Sequence, residues 1–331
     1  MCGSTQVETD TYLRTMGWAR LAEAQYAAET EEVHWLLDSY SAGVNAYLAT
    51  RSPSDLAFEY SILELLNHDY TPAEWHGSES LAWGKVMSFE LGGNMHTEVE
   101  RAMALTTLPA ERVAQLYPLY PGDRHPYIVP GDGASTTAAE ASLTSTEDIR
   151  GALEGTVDAL DALFSVTGGG PDSNVGSNSW AVRGSLTDTG DPMLMNDPHL
   201  GSLMPSIWYQ VGLHCRTVSA DCPFDVAGFS FAGVPGVIIG HNADIAWGFT
   251  NIGPDVQDLF IERINPDNPH QYEVNGEWVD MDVRVETIEV AGGDPVEIEV
   301  RTTRHGPIVS EILPYVDATS SSWKGFDGSG V

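Results

Sequence analysis

Ser177 has the setting in this chain that could give a side chain chemistry. It stands in Val175-Gly-Ser-Asn-Ser-Trp-Ala-Val182, directly after the loop-like run Val166-Thr-Gly-Gly-Gly-Pro-Asp-Ser-Asn-Val-Gly176. Beyond it the apolar pattern changes from helical to strand-like spacing. A serine after a flexible glycine, at the start of a strand, suits a self-cleaving precursor. Attack of its hydroxyl on the Gly176 carbonyl would free Ser177 as a new chain terminus. That residue would carry a nucleophile and its own base, because a terminal amine has an ordinary pKa of about 7.7–8.0. Taken alone, the same Gly-Ser-Asn run also reads as a plain linker between two domains.

The elements around this junction divide by type. From about Thr9 to Thr50 the spacing of Leu13, Met16, Leu21, Ala24 and Tyr26, then Val33, Leu36, Leu37, Tyr40, Val44 and Leu48, predicts two amphipathic helices. Thr30-Glu-Glu marks the start of the second. A short helix through Leu65 follows the turn Ser52-Pro-Ser-Asp. A longer helix is expected from Ser78 to Leu105, broken at Leu91-Gly-Gly-Asn94. Pro109–Tyr117 and Ser145–Phe164 predict two more, on either side of a polar Pro/Gly-rich stretch from Pro118 to Ser142.

After Ser177, short strands are expected at 180–182, 193–195, 207–213, 225–231, 237–239, 245–250, 259–264, 278–290 and 296–303. Alternation in Val283-Arg-Val-Glu-Thr-Ile-Glu-Val290 points to antiparallel sheet with one wetted face. The division is thus a helical portion 1–165, a spacer 166–176 ending at the junction, and a β-rich portion 177–331.

Composition bounds the partners. The 331 residues carry 48 acidic and 15 basic side chains, a net charge of −33, with lysine only at Lys85 and Lys324. Such a surface repels nucleic acid and anionic membranes, and its scattered acidity with scarce lysine suits high salt, where screening weakens self-repulsion. A solvated acidic surface with no special role is the plainer reading. No apolar run is long enough to span a membrane. The opening Met1-Cys-Gly-Ser-Thr-Gln-Val-Glu lacks the basic and apolar regions of a secretory signal. Cys215 and Cys222 flank a polar loop and could form a disulfide or stay as two thiols. Glu32-Val-His34 and His96-Thr-Glu98 lack zinc-site spacing.

Three ordered stretches resemble the penicillin acylase family of N-terminal nucleophile hydrolases: Gly176-Ser-Asn-Ser-Trp-Ala-Val182, Asn196-Asp-Pro-His-Leu-Gly201, and Gly233 through Asn251 running on to Asp258. Arg304-His-Gly-Pro307, Ser41-Ala-Gly-Val-Asn-Ala-Tyr47 and Leu91-Gly-Gly-Asn94 with Glu98 are similar too. The resemblance implies an α+β fold of αββα layers, incomplete here. It also implies a precursor that cuts itself into an α/β heterodimer.

Ser177 would be the catalytic nucleophile, cleaving a linear N-acyl amide such as a penicillin or an acylated homoserine lactone. His199, 22 residues beyond it, would help orient the serine amine and the substrate. The backbone N–H of Asn251 would be one oxyanion donor. The family's second donor, an asparagine, and its arginine would lie beyond Val331, and family precursors are more than twice this length. A piece of a larger reading frame is therefore expected, weakly active or inactive by itself.

Glu98, Asp255, Gln257 and Asp258 match the family's structural calcium site, whose hard oxygen donors suit Ca²⁺, and no organic cofactor is implied. Met87, Leu91, Trp208 and Phe231 would line the acyl pocket, and plain core packing serves each of them equally well. The family places such enzymes in the periplasm or outside the cell. The rival reading is a non-catalytic, acidic, calcium- or solute-binding protein on a decayed acylase scaffold.

Overall fold

Helices are laid down first along the chain. In a computed structural model of the chain, α1 (Val7–Met16), α2 (Trp18–Ala28), α3 (Glu31–Leu48), α4 (Pro53–Leu56), α5 (Phe58–Leu66), α6 (Gly77–Gly92), α7 (Asn94–Leu105) and α8 (Ala110–Leu116) come before any described strand. Strands follow: β1 (Gly176–Val182), β2 (Met193–His199), β3 (Trp208–His214), β4 (Asp225–Phe231), β5 (Ile239–Asn242), β6 (Ala246–Trp247), β7 (Asp258–Ile261), β8 (Gln271–Val274), β9 (Glu277–Asp280), β10 (Asp282–Ile288), β11 (Val296–Thr303), β12 (Gly306–Pro307) and β13 (Phe326–Ser329). The structure describes residues 3–66, 70–92, 94–118, 124, 176–200, 204, 206–251, 258–309 and 326–329. The expected helix Ser145–Phe164 and most of the spacer before Gly176 lie outside the described residues. No described helix is long and apolar enough to cross a membrane. The α+β character expected from the sequence holds.

Two compact units form, each from three separate stretches. The first takes Met1–Gly93, Phe164–Asp255 and Arg284–Val300; the second takes Asn94–Leu163, Val256–Val283 and Arg301–Val331.

In the first unit the sequence predicted two helices where α1, α2 and α3 stand. Gly17 is the reason: at φ 69° it takes the left-handed conformation and its N–H caps Leu13 O at 3.0 Å, closing α1. Thr30 caps α3 as expected, accepting from Val33 N, with Glu31 and Glu32 in the first turn. Tyr12, Trp18 and Phe89 form a buried aromatic cluster with ring centroids 5.2–6.1 Å apart, joining α1, α2 and α6. Burial raises the Tyr12 hydroxyl above the ordinary tyrosine range.

The helices reach the sheet through α3. Asn45 exchanges two hydrogen bonds with the backbone of Trp75 (2.8 and 2.9 Å), and Tyr40 Oη accepts from Gly233 N at 3.0 Å. Gly233 has φ 96°, and a Cβ there would lie 3.2 Å from the Trp75 ring. Both its conformation and its neighbour require glycine.

β3-β4-β5-β6 is an antiparallel sheet in that order. Gly228 and Gly240 face each other in register, and a Cβ on either would meet a backbone carbonyl oxygen at 2.1 or 2.2 Å. The strand expected over 245–250 shrinks to the two residues of β6. Before it, Asn242 Oδ1 accepts from Asp244 N and Ile245 N to make a tight turn. After it, Phe249 takes its hydrogen bonds from an asparagine side chain instead of a strand. Cys215 and Cys222 are joined in a disulfide (Cα–Cα 5.9 Å), closing the loop between β3 and β4.

β10 is tied to α1 by charge. Glu286 accepts from Arg284 Nε (2.6 Å) and Arg14 Nη1 (3.2 Å), and Arg284 also donates to Arg14 O.

The second unit has a small core of Ile264, Tyr272, Met281 and Ile308, with Val274 packed against it. β8 and β9 pair through a turn at Asn275-Gly276, whose φ values are 54° and 89°. That Asn-Gly pair is the hairpin signal that the sequence reading passed over. His305 Nδ1 donates to Glu262 Oε1 (2.7 Å) and its ring stacks on Phe260, within the turn between β11 and β12 that Arg304-His-Gly-Pro307 helps to form. In the same unit α7 and α8 pack together around the buried Val99 and Val113.

Two predictions follow from these contacts. Gly228→Ala forces a methyl against the neighbouring strand and should cost about 1–3 kcal/mol or more, read by urea denaturation. For Glu286, partial burial acts to raise the pKa, and the hydrogen bonds of Arg284 and Arg14 outweigh it and lower it. A lowered folded pKa gives stability that is present above the ordinary glutamate pKa and lost as pH falls through the folded one. Glu286→Gln should therefore lower the melting temperature near neutral pH and match wild type once both are acidified below the glutamate range.

Candidate active site

β1 and β2 form a two-stranded antiparallel ribbon that begins at the junction: Gly176 stands opposite His199, Ser177 opposite Pro198 and Ser179 opposite Asn196. Side chains alternate along each strand. Ser177, Asn196 and Pro198 therefore share one face and are half-buried. The other face carries Trp180, Met193 and Met195, all exposed.

On the face of Ser177 lies the chain that leaves β6. Asn251 N donates to Ser177 Oγ at 3.0 Å, across 74 residues of sequence. Asn251 Nδ2 in turn donates to Leu91 O at 2.8 Å, at the C-terminal end of α6. Thus the structure brings together the serine, the Asn251 N–H and one of the four pocket residues. A donor so close to Oγ is near the oxygen of any carbonyl carbon that becomes bonded to Oγ, where an oxyanion would form.

Asn196 holds this segment from the ribbon side. Its Oδ1 accepts from Phe249 N (3.1 Å), and its Nδ2 donates to Phe249 O (2.9 Å) and Asn178 O (3.2 Å). Gly248 lets it in: a Cβ there would lie 2.8 Å from Asn196 Cβ, Cγ and Oδ1. The sequence reading quoted Asn196 within a motif and gave it no role. An asparagine inside a strand is itself the signal, since its amide suits that setting poorly without a partner.

His199 stands opposite Gly176, one ladder position from Ser177, and its side chain lies on the other face of the ribbon from that of Ser177. Its Nε2 lies 3.0 Å from Asp197 Oδ2, and its Nδ1 would be 3.8 Å from a Cβ on Gly176. Of the remaining pocket residues, Met87 is buried in α6. Trp208 and Phe231 stand opposite each other across β3 and β4, ring centroids 4.2 Å apart. Of the calcium set, Glu98 is half-buried on α7 and Asp258 opens β7, while Asp255 and Gln257 lie outside the described residues. Among the described residues no group of three or more metal-binding side chains occurs.

Relatives bear on this arrangement. An acyl-homoserine lactone acylase, QuiP, of Pseudomonas aeruginosa is 28% identical over 317 residues, covering 95% of this chain and 34% of the relative. The penicillin acylase 2 proenzyme of Pseudomonas sp. strain SE83 is 29% identical over 311 residues, 93% of this chain and 37% of its own length. Penicillin G acylase of Escherichia coli is 35% identical over 152 residues, 45% of this chain and 17% of the relative. The chain spans about a third of the length of the first two relatives. The penicillin amidase family model matches residues 1–329, and the chain belongs to that family, within the N-terminal nucleophile hydrolases.

Proposed function

We propose that Ser177 is the nucleophile of an amide hydrolase of the penicillin acylase type. The observation that carries this reading is the Asn251 N–H at 3.0 Å from Ser177 Oγ, in a chain of this family. In the precursor, Ser177 Oγ attacks the Gly176 carbonyl carbon and the peptide C–N bond breaks, giving an ester on Oγ and a free Ser177 amine. Water then hydrolyses the ester, leaving a Gly176 carboxylate and Ser177 as a chain terminus.

In the mature site the α-amine accepts the Oγ proton while Oγ attacks the substrate amide. The tetrahedral oxyanion takes the Asn251 N–H, an interaction that in comparable sites is worth about 3–4 kcal/mol. Collapse passes the proton to the leaving amine, and water releases the acid from the acyl-enzyme. His199, beside Gly176, orients the freed amine. Met87, Leu91, Trp208 and Phe231 supply an apolar wall for the acyl group of an N-acyl amide, a penicillin or an acyl-homoserine lactone. The relatives' own names point to these two substrate classes.

The two pieces stay together as an α/β heterodimer, in an oxidising compartment outside the cytoplasm that keeps the Cys215–Cys222 disulfide. By family resemblance, Glu98, Asp255, Asp258 and the Gln257 backbone carbonyl would offer Ca²⁺ hard oxygen donors, and the ion's part would be to brace the fold. With a net charge of −33 the protein works best in high salt.

Intact mass of the protein in high salt with calcium, beside Ser177→Ala, tests the reading. Wild type should give two pieces that meet at Gly176–Ser177, and the variant one uncut mass. A folded full-length precursor that stays uncut and hydrolyses no N-acyl amide would favour the non-catalytic rival. The melting temperature should also rise by several degrees between roughly 0.1 M and 1 M KCl, as the Debye length falls from about 10 to 3 Å. A flat response would count against salt adaptation.

A further inference from the structure

We infer that Asn196 is the positioning residue of the oxyanion donor, and that Gly248 exists to admit it. This rests on the proposed role of Ser177. The ribbon β1–β2 and the sheet β3-β4-β5-β6 are separate sheets, so no strand ladder sets the distance between Ser177 and Asn251. Asn196 spans the gap instead. Its backbone sits in β2, and its side chain pairs with both the N–H and the carbonyl of Phe249, as a neighbouring strand residue would. Its second amide hydrogen goes to Asn178 O, in the residue next to Ser177.

The donor pattern fixes which way the amide faces. One backbone N–H must meet oxygen, and two carbonyls must meet nitrogen. Neither Asp nor Gln satisfies all three at this reach. Phe249 lies two residues before Asn251, so holding one holds the other. A loose fit here would leave the N–H misplaced by an ångström, an error that costs on the order of 100-fold in rate.

Asn196→Asp is nearly isosteric and makes the role visible through pH. Protonated, the acid offers one O–H and one acceptor and can restore the Phe249 pair. Ionised, it turns an oxygen toward two carbonyls and cannot. Amide hydrogen exchange across residues 248–251, corrected for intrinsic pH dependence, reads this without any substrate. Near neutral pH the variant should exchange about tenfold faster than wild type, and the gap should close on acidification below the aspartate range. Gly248→Ala should speed the same amides at every pH, with no recovery in acid. Exchange in β4 serves as the folding reference. Should Asn196→Asp lose that protection, Gly248→Ala carries the test.

The inference is overturned if wild-type 248–251 exchanges like an unstructured peptide, if Asn196→Asp matches wild type near neutral pH, or if its gap is independent of pH. In the self-cleaved full-length precursor, with phenylacetyl 4-nitroanilide as probe, Asn196→Asp should lower kcat about 100-fold and leave KM within about threefold. Wild type that fails to turn over this probe sinks the nucleophile reading for phenylacetyl amides, and the exchange result still decides Asn196.

Discussion

One backbone hydrogen bond, Asn251 N–H to Ser177 Oγ, is the contact on which the rest of the first unit converges. Ser177 lies in the β1–β2 ribbon and Asn251 on the segment that leaves β6, so no single ladder sets its length. Ser177 is placed by the pairing of β1 with β2. Asn251 is placed by the sheet that ends in β6, which is itself braced by Trp247 Nε1 on Ile238 O and by the close approach of Gly228 and Gly240. Tyr40 and Trp75 hold the turn at Gly233 between β4 and β5. Leu91 O takes the Asn251 side chain, so the helix that would wall the acyl group touches the donor residue directly. Neutral hydrogen bonds of this kind each contribute only about 1 kcal/mol, so the geometry stands on their number.

Much of the element pattern was legible, and the reason is local. Asp225–Phe231 and Val296–Thr303 have the strand bounds that the sequence predicted, because β-branched and aromatic residues stand between clear turn signals. Thr30 showed its cap by type and position. Gly17 was hidden inside an otherwise helical pattern, since periodicity alone does not report a left-handed residue. β8 was missed because Gln271-Tyr-Glu-Val274 is short and half polar, and it gains its place from the Tyr272 core. The site divides in the same way. Ser177 announced itself through the glycine before it and the strand after it. Asn251 did not, because its bond to Ser177 is made by a backbone N–H with no side-chain signature, and only the ordered family resemblance pointed there. Asn196 needed the fold.

The few cations have structural work. Arg14 and Arg284 hold Glu286, Arg263 holds Glu273 and lies over Trp278, and the buried Arg301 donates to Pro269 O. With 15 basic residues against 48 acidic ones, pairing these four leaves still fewer cations to offset the acidic surplus. Arg14 and Arg263 are themselves 41% and 53% exposed, so added salt screens these pairs along with the surplus acidic charge.

The interleaving of the two units along the chain bears on synthesis and on processing. Vectorial synthesis cannot finish either unit early: the first waits for Val300 and the second draws on residues beyond it. Contacts of such long sequence range close slowly, so the nascent chain passes through a long open interval before either core is complete. The same arrangement decides what a cut at Gly176–Ser177 would do. Each unit draws residues from both sides of that bond. A cut there would leave each compact body built from two pieces, held by packing and, in the first, by hydrogen bonds such as Asn251 Nδ2 to Leu91 O and Gly233 N to Tyr40 Oη.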